Sequence, residues 1–262
     1  MKASAFPASG RFCVLDIETA VADEAVAAVA RDHDGGFGRV ALHALTAVST
    51  LTFGRDAEGV FADFKLASLE TAATDEADLI LALDRALRPI HDAGGGLITF
   101  NGRAHDLPTL ARRASRHWLF DALHLPDWTG RDGVRHLDLM LPDGSDKVRR
   151  WPSLADSCAA LGLPTGVRRG HSPRTVGDAS AKGQVDVVAT FLLHHYRASA
   201  IDRSPGPLLH GWTALARHLA SPRVRAPHLM PFIEHPHVAV AARLAPRHPA
   251  LVDRRANLAP TA

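Results

Sequence analysis

Phe12-Cys13-Val14-Leu15-Asp16-Ile17-Glu18-Thr19 is an apolar run that closes on two carboxylates one residue apart. An apolar run of this kind reads as a strand. Strand side chains alternate between faces, so Asp16 and Glu18 point the same way. Adjacent carboxylates repel each other, and a divalent cation such as Mg²⁺ or Mn²⁺, which takes hard oxygen ligands, resolves that conflict. The same residues are also compatible with an ordinary solvated strand end. The rest of the chain decides between the two.

At 262 residues the chain is long enough for one large α/β domain or two small ones. Its hydrophobic fraction of 46% is that of a protein with a proper core. The two cysteines, Cys13 and Cys158, do not make a disulfide framework and argue for a reducing compartment. No apolar run reaches the length of a membrane span, and Met1 to Gly10 has no basic head followed by an apolar stretch. A cytoplasmic protein without a membrane partner is the expectation. The net charge of +2 is too small to identify a polyanion partner, so the distribution of charge matters more than its total.

Residues 39–53 and 59–66 read as two further strands, joined as a hairpin across Gly54 to Gly59. Thr74-Asp75-Glu76 reads as a helix start, with a capping hydroxyl and acids in the first turn. Leu79, Leu83 and Leu87 then form a stripe at i, i+4 spacing until Gly94-Gly95-Gly96 ends it. A short strand over Leu97–Asn101 leads into a helix over Leu107–His117, with Pro108 tolerated in its first turn. A strand at Arg135–Met140, a helix from Ser153 and a helix over Gln184–Arg197 complete the pattern. The order predicts an α/β protein with a mixed sheet, in which antiparallel strands precede a βαβ part. Residues 1–200 form the expected α/β domain. Residues 201–262, which include a short amphipathic helix and then turn Pro-, His- and Arg-rich, are expected to form an appendage.

Two more acids extend the first pair. Asp106 follows the strand Leu97–Asn101 at a helix start, where a carboxylate serves as an N-cap or faces a ligand at the strand ends. Asp186 sits between Val185 and Val187 in an otherwise apolar helix. A carboxylate placed there needs either an arginine or a metal as partner.

Asp16-x-Glu18-Thr19, Asn101-x-x-x-His105-Asp106 and Asp186, taken in this order, resemble the three exonuclease motifs of the DEDD superfamily of 3′–5′ exonucleases. The branch with the proofreading domains of B-family DNA polymerases is the most similar. Ile98–Arg103, His136–Met140 and Ser153-Leu154-Ala155 also look like segments of stand-alone bacterial members. The likeness spans residues 11–198. It implies a ribonuclease H-like fold, a mixed sheet of about five strands flanked by helices. It also implies hydrolysis of phosphodiester bonds at the 3′ end of single-stranded DNA or RNA with two Mg²⁺ or Mn²⁺ ions. Two such ions, about 3.5–4 Å apart, clamp the attacking and leaving oxygens of an in-line displacement. On the family's pattern Asp16 bridges both ions, Glu18 and Asp186 complete the site that activates water, and Asp106 supports the ion at the leaving group. Thr19 and Asn101 position the terminal nucleotide. Asp138 reads as structural.

The chain departs from that pattern at one place. The family carries a tyrosine four residues before the last aspartate, or a histidine five before; here those positions are Lys182 and Ala181. Lys182 reads as an exposed lysine ahead of the helix, with Gly183 marking the boundary, or as a group on the face of Asp186. Lys182, His105 and His171 are the candidates for the missing general base. Between Lys147 and Arg174 six basic residues (Lys147, Arg149, Arg150, Arg168, Arg169, Arg174) face one acid, Asp156, with Trp151 among them. That stretch suits a strand of nucleic acid, or is a solvated face. Two alternatives stay open: an exonuclease-like module that binds nucleic acid or protein with little or no cutting, and a 3′–5′ exoribonuclease.

Overall fold

A computed structural model describes residues 9–29, 40–120, 135–140, 152–165, 176–224 and 226–250. His171, Trp151 and the basic residues from Lys147 to Arg174 lie outside them. The strand that opens the chain, β1 (Gly10–Val21), is followed by the short exposed helix α1 (Asp23–Ala28). Next come β2 (His43–Arg55) and β3 (Phe61–Glu70), the expected hairpin. Helix α2 (Glu76–Asp92) is capped by the carboxylate of Asp75, which accepts the Ala77 N–H at 2.7 Å, rather than by a hydroxyl. Then follow β4 (Gly96–Thr99), α3 (Asp106–Arg116), β5 (His136–Asp138) and α4 (Leu154–Ala160), the last started by a Ser153–Asp156 capping box.

The five strands form one mixed sheet in the order β3-β2-β1-β4-β5. β1 is antiparallel to β2 along its whole length and parallel to β4; β2 is antiparallel to β3, and β4 parallel to β5. The parallel neighbours need crossovers, which α2 and α3 supply. This is the ribonuclease H-like, α/β arrangement expected.

β1 lies at the centre and is covered on both faces. Cys13, Leu15 and Ile17 join the apolar stripe of α2 (Leu79, Leu83, Leu87) on one side. Phe12 and Val14 join Leu51, Phe53, Val188 and Phe191 on the other. That side is the one along which Asp16 and Glu18 continue. Arg113 of α3 clamps the Glu76 carboxylate of α2, and His117 Nε2 and the Leu45 N–H lie 2.7 and 2.8 Å from it. Burial opposes ionisation of Glu76, but the bonds from Arg113, His117 and Leu45 outweigh it and hold the carboxyl below its usual range. The ion pair locks α3 in place and so fixes the direction from which Asp106 approaches.

Helix α5 (Val176–Asp202) runs 27 residues, about 40 Å at 1.5 Å per residue. It starts eight residues before the Gln184 expected from the apolar pattern. Its first turns are held by polar contacts that periodicity does not register: the Ser180 N–H donates to Glu70 Oε1 at 3.0 Å, and Lys182 is paired with acids. Beyond them Val185, Val187, Val188, Phe191 and Leu192 are all buried, because α6 (Gly206–Leu219) covers the side that the sheet does not. Past Pro222, where the sequence shows weak periodicity, two short helices form, α7 (Met230–Ile233) and α8 (Pro236–Leu244), each with proline in its first turn. Too few turns exist there for a period to be read. Trp212, Leu215, Phe232 and Ala241 enter the same apolar cluster as Phe12 and Phe191. Among the described residues no helix is long and apolar enough to cross a membrane.

Candidate active site

The polar end of β1 and the N-terminal half of α5 meet at a group of acids. Ligand oxygens of Asp16, Glu18 and Asp186 all lie within 4.8 Å of one another. The meeting depends on Gly183. A methyl group added there would stand 2.3 Å from Ser49 Oγ and 2.9 Å from Ser49 Cβ, so α5 rests its backbone directly on β2 at the residue paired with Asp16. Gly183 therefore marks no helix boundary. It is the point of close approach that lowers residues 182 and 186 onto the carboxylates of β1.

Lys182 lies inside α5, not ahead of it. Its ammonium donates to Asp186 Oδ2 at 2.8 Å and to Glu18 Oε1, bridging strand and helix. Its side chain is 31% exposed. Burial works against the lysine's charge, but Asp16, Asp186 and Glu18 outweigh it and raise the pKa above the ordinary lysine value. The surrounding acids thus favour the charged, donating form of Lys182. The acid–arginine pairing considered for Asp186 is here an acid–lysine pairing one helical turn long.

The acids respond in the opposite sense. Burial, then the charge of Asp186, drives the Asp16 carboxyl well above its usual range despite Lys182. Glu18 is 8% exposed, and burial raises it against the opposing effect of Lys182. Asp106, 3% exposed, is raised well above its usual range by burial and then by Asp138, Glu18 and Asp186. Asp16 Oδ2 and Asp106 Oδ2 are sealed from solvent and accept no hydrogen bond. Asp106 is not one of the three residues that lie within 4.8 Å of one another. Those three carboxylates share one ammonium, and this excess of negative charge, with Asp16 Oδ2 unbonded among them, fits a hard cation.

Asp106 reaches this region through a tight loop. Asn101 adopts φ 69°, the left-handed conformation that asparagine tolerates, and its N–H donates to Asp138 Oδ1 at 2.9 Å. Asp138 Oδ2 takes the Arg103 N–H at 2.9 Å and Oδ1 the Met140 N–H at 3.0 Å, so Asp138 is spent on the backbone. A side chain at Gly102 would collide with Thr99 Oγ1 at 2.2 Å, which is why the loop can turn straight into α3. Thr19 lies on the opposite face from Asp16 and Glu18, and its hydroxyl is 2.9 Å from His43 Nδ1. His105, half-buried at the start of α3, is held below the usual histidine range by burial and then by His43, Arg112 and Lys182. Ser49 and the contact function of Gly183 escaped the sequence reading; the signal was a lone glycine three residues before a lone acid in a helix.

No protein family's sequence profile matches this chain, and no curated protein matches it in sequence. Among solved structures it is similar to the family B DNA polymerase from the hyperthermophilic archaeon Pyrobaculum calidifontis, with 15% identity and a TM-score of 0.48 over 80% of this chain and 27% of that one. It is also similar to E. coli Exonuclease I in complex with a dT13 oligonucleotide, with 12% identity and a TM-score of 0.40 over 78% of this chain and 46% of that one. The complex of the same enzyme with a dA16 oligonucleotide gives 12% identity and a TM-score of 0.40, over 79% and 44%. The chain spans less than half the length of each of these three. At such scores the likenesses assign no role to any residue.

Proposed function

We propose that this chain is a metal-dependent nuclease that removes nucleotides from the 3′ end of single-stranded nucleic acid, with Asp16, Glu18, Asp106 and Asp186 holding Mg²⁺ or Mn²⁺. The observation that carries this reading is the convergence of three carboxylate oxygens from β1 and α5 within 4.8 Å, beside two buried carboxylate oxygens without a partner. A divalent ion bound there would act as a Lewis acid on the scissile phosphate. The chain's own part is to fix the ligands from three separate elements, β1, α3 and α5, and to keep water from the buried oxygens of Asp16 and Asp106. Lys182 adds one positive charge beside the phosphate. Asn101, at the left-handed turn before Asp106, would contact the terminal nucleotide; Thr19, whose side chain turns to the opposite face, would do so through its backbone alone. His105, uncharged at neutral pH, is the described candidate for accepting the proton of the attacking water.

Purified protein with Mn²⁺ or Mg²⁺ should shorten an oligonucleotide from its 3′ end, and Asp16→Ala should abolish the shortening. DNA and RNA oligonucleotides left intact under both metals would sink the enzyme reading. Parallel DNA and RNA substrates separate an exonuclease acting on DNA from an exoribonuclease. A second reading is favoured by one observation: the ammonium of Lys182 occupies oxygens of both Glu18 and Asp186. On that reading the chain binds single strands without cutting them, and fluorescence anisotropy would register binding with no loss of substrate length.

A further inference from the structure

Two of the three clustered carboxylates already share a cation. Lys182 Nζ lies 2.8 Å from Asp186 Oδ2 and bonds Glu18 Oε1, while the idle oxygens are those of Asp16 and Asp106. The ammonium's hydrogen bonds therefore go to Glu18 and Asp186, while Asp16 Oδ2 in the same group, and Asp106 Oδ2 outside it, accept none. The resemblance to DEDD exonucleases implies two ions, one of them on the Glu18 and Asp186 side. That is the side the lysine fills.

The lysine is held there by more than its charges. It leaves α5 one turn before Asp186, on the same helical face. Gly183 packs the adjoining backbone against Ser49, so the helix cannot slide to withdraw the side chain without opening a gap over β2. Glu18 approaches from a strand 164 residues distant in sequence, and at its level β1 is paired with β2 through Ala47. Both anchors of the ammonium are thus parts of the rigid frame.

Resting on the reading that this cluster holds a divalent metal, we propose that Lys182 is a built-in cation that takes the place of one of the two ions, so that the chain binds a single Mg²⁺ or Mn²⁺. The device replaces an exchangeable ion by a tethered charge.

Titration calorimetry with Mn²⁺ alone, on the full chain, tests the stoichiometry. The wild type should bind one ion, Lys182→Met two, and Lys182→Arg, which keeps the charge, one. Electron paramagnetic resonance should show an isolated Mn²⁺ in the wild type and a spin-coupled pair in Lys182→Met. A wild type that binds two ions overturns the proposal, and that measurement stands even if Lys182→Met fails to fold. So does one ion in both proteins, because no second place then exists, and so do two ions in Lys182→Arg. No Mn²⁺ in either the wild type or Lys182→Met overturns the metal reading beneath the proposal as well, which distinguishes the two failures.

Discussion

Replacing Gly183 by alanine places a methyl group 2.3 Å from Ser49 Oγ and 2.9 Å from Ser49 Cβ, where about 3.4 Å or more is needed for ordinary contact. Relief requires α5 to lift from β2 by about 1 Å at this point. Two effects oppose each other. Alanine in a helix interior is better than glycine by about 1 kcal/mol. Overpacking against a strand costs about 1–3 kcal/mol, since Ser49 sits on the central part of the sheet and cannot yield. The net expectation is a loss of up to about 2 kcal/mol in urea unfolding, with the m-value unchanged. The consequence for the site is larger, because Lys182 and Asp186 flank the lifted residue and a misplacement of about 1 Å costs on the order of 10²-fold in rate. Ser49→Ala removes the nearer of the two clashing atoms, so Gly183→Ala with Ser49→Ala should recover part of the loss, a coupling of about 1 kcal/mol in a double-mutant cycle. A Gly183→Ala protein that is about 1 kcal/mol more stable than wild type, as at an open helix position, would refute the close approach and with it the account of how the site is assembled.

Asp106→Asn should raise the melting temperature of metal-free protein at pH 7. The folded-state pKa of Asp106 lies above its unfolded value, so its favourable contribution is complete below about pH 4 and is lost as pH rises through the folded value. The advantage of the variant should therefore shrink in mild acid; an equal loss of stability at both pH values would refute the sign. Mn²⁺ should stabilise the wild type and stabilise Asp106→Asn less. Trp212→Ala, at a residue 1% exposed within the shared apolar cluster, should cost about 3–5 kcal/mol. Calorimetry should show one transition; two separate transitions would mean that residues 201–262 unfold independently of residues 1–200.

Much of the fold was legible because its signals are local. The alternation of Phe12, Val14, Asp16 and Glu18 is a property of any strand, and the stripe of α2 is a property of any amphipathic helix. Helix α5 was read too short because its first turns are stabilised by contacts with Glu70 and Glu18, residues far away in the chain. The helices α7 and α8 were missed because four and nine residues carry too little periodicity. Lys182 was misplaced for a related reason. Gly183 weakens a helix when its surroundings are unknown, and only the proximity of Ser49 turns that weakness into a fit.

The sequence alone determined that Asp16 and Glu18 share a face, that Asp186 needs a partner, and that the elements occur in an order suited to a mixed sheet. Those conclusions follow from backbone geometry and from the cost of burying a charge, and both act within a few residues. The tertiary structure decided that the partner of Asp186 is Lys182, that Glu18 shares it, and that Asp16 and Asp106 keep oxygens with nothing to bond. A helix's own pattern says which of its faces is apolar. Where that face settles on a sheet depends on how closely the two backbones can approach, and here Gly183 and Ser49 set that distance.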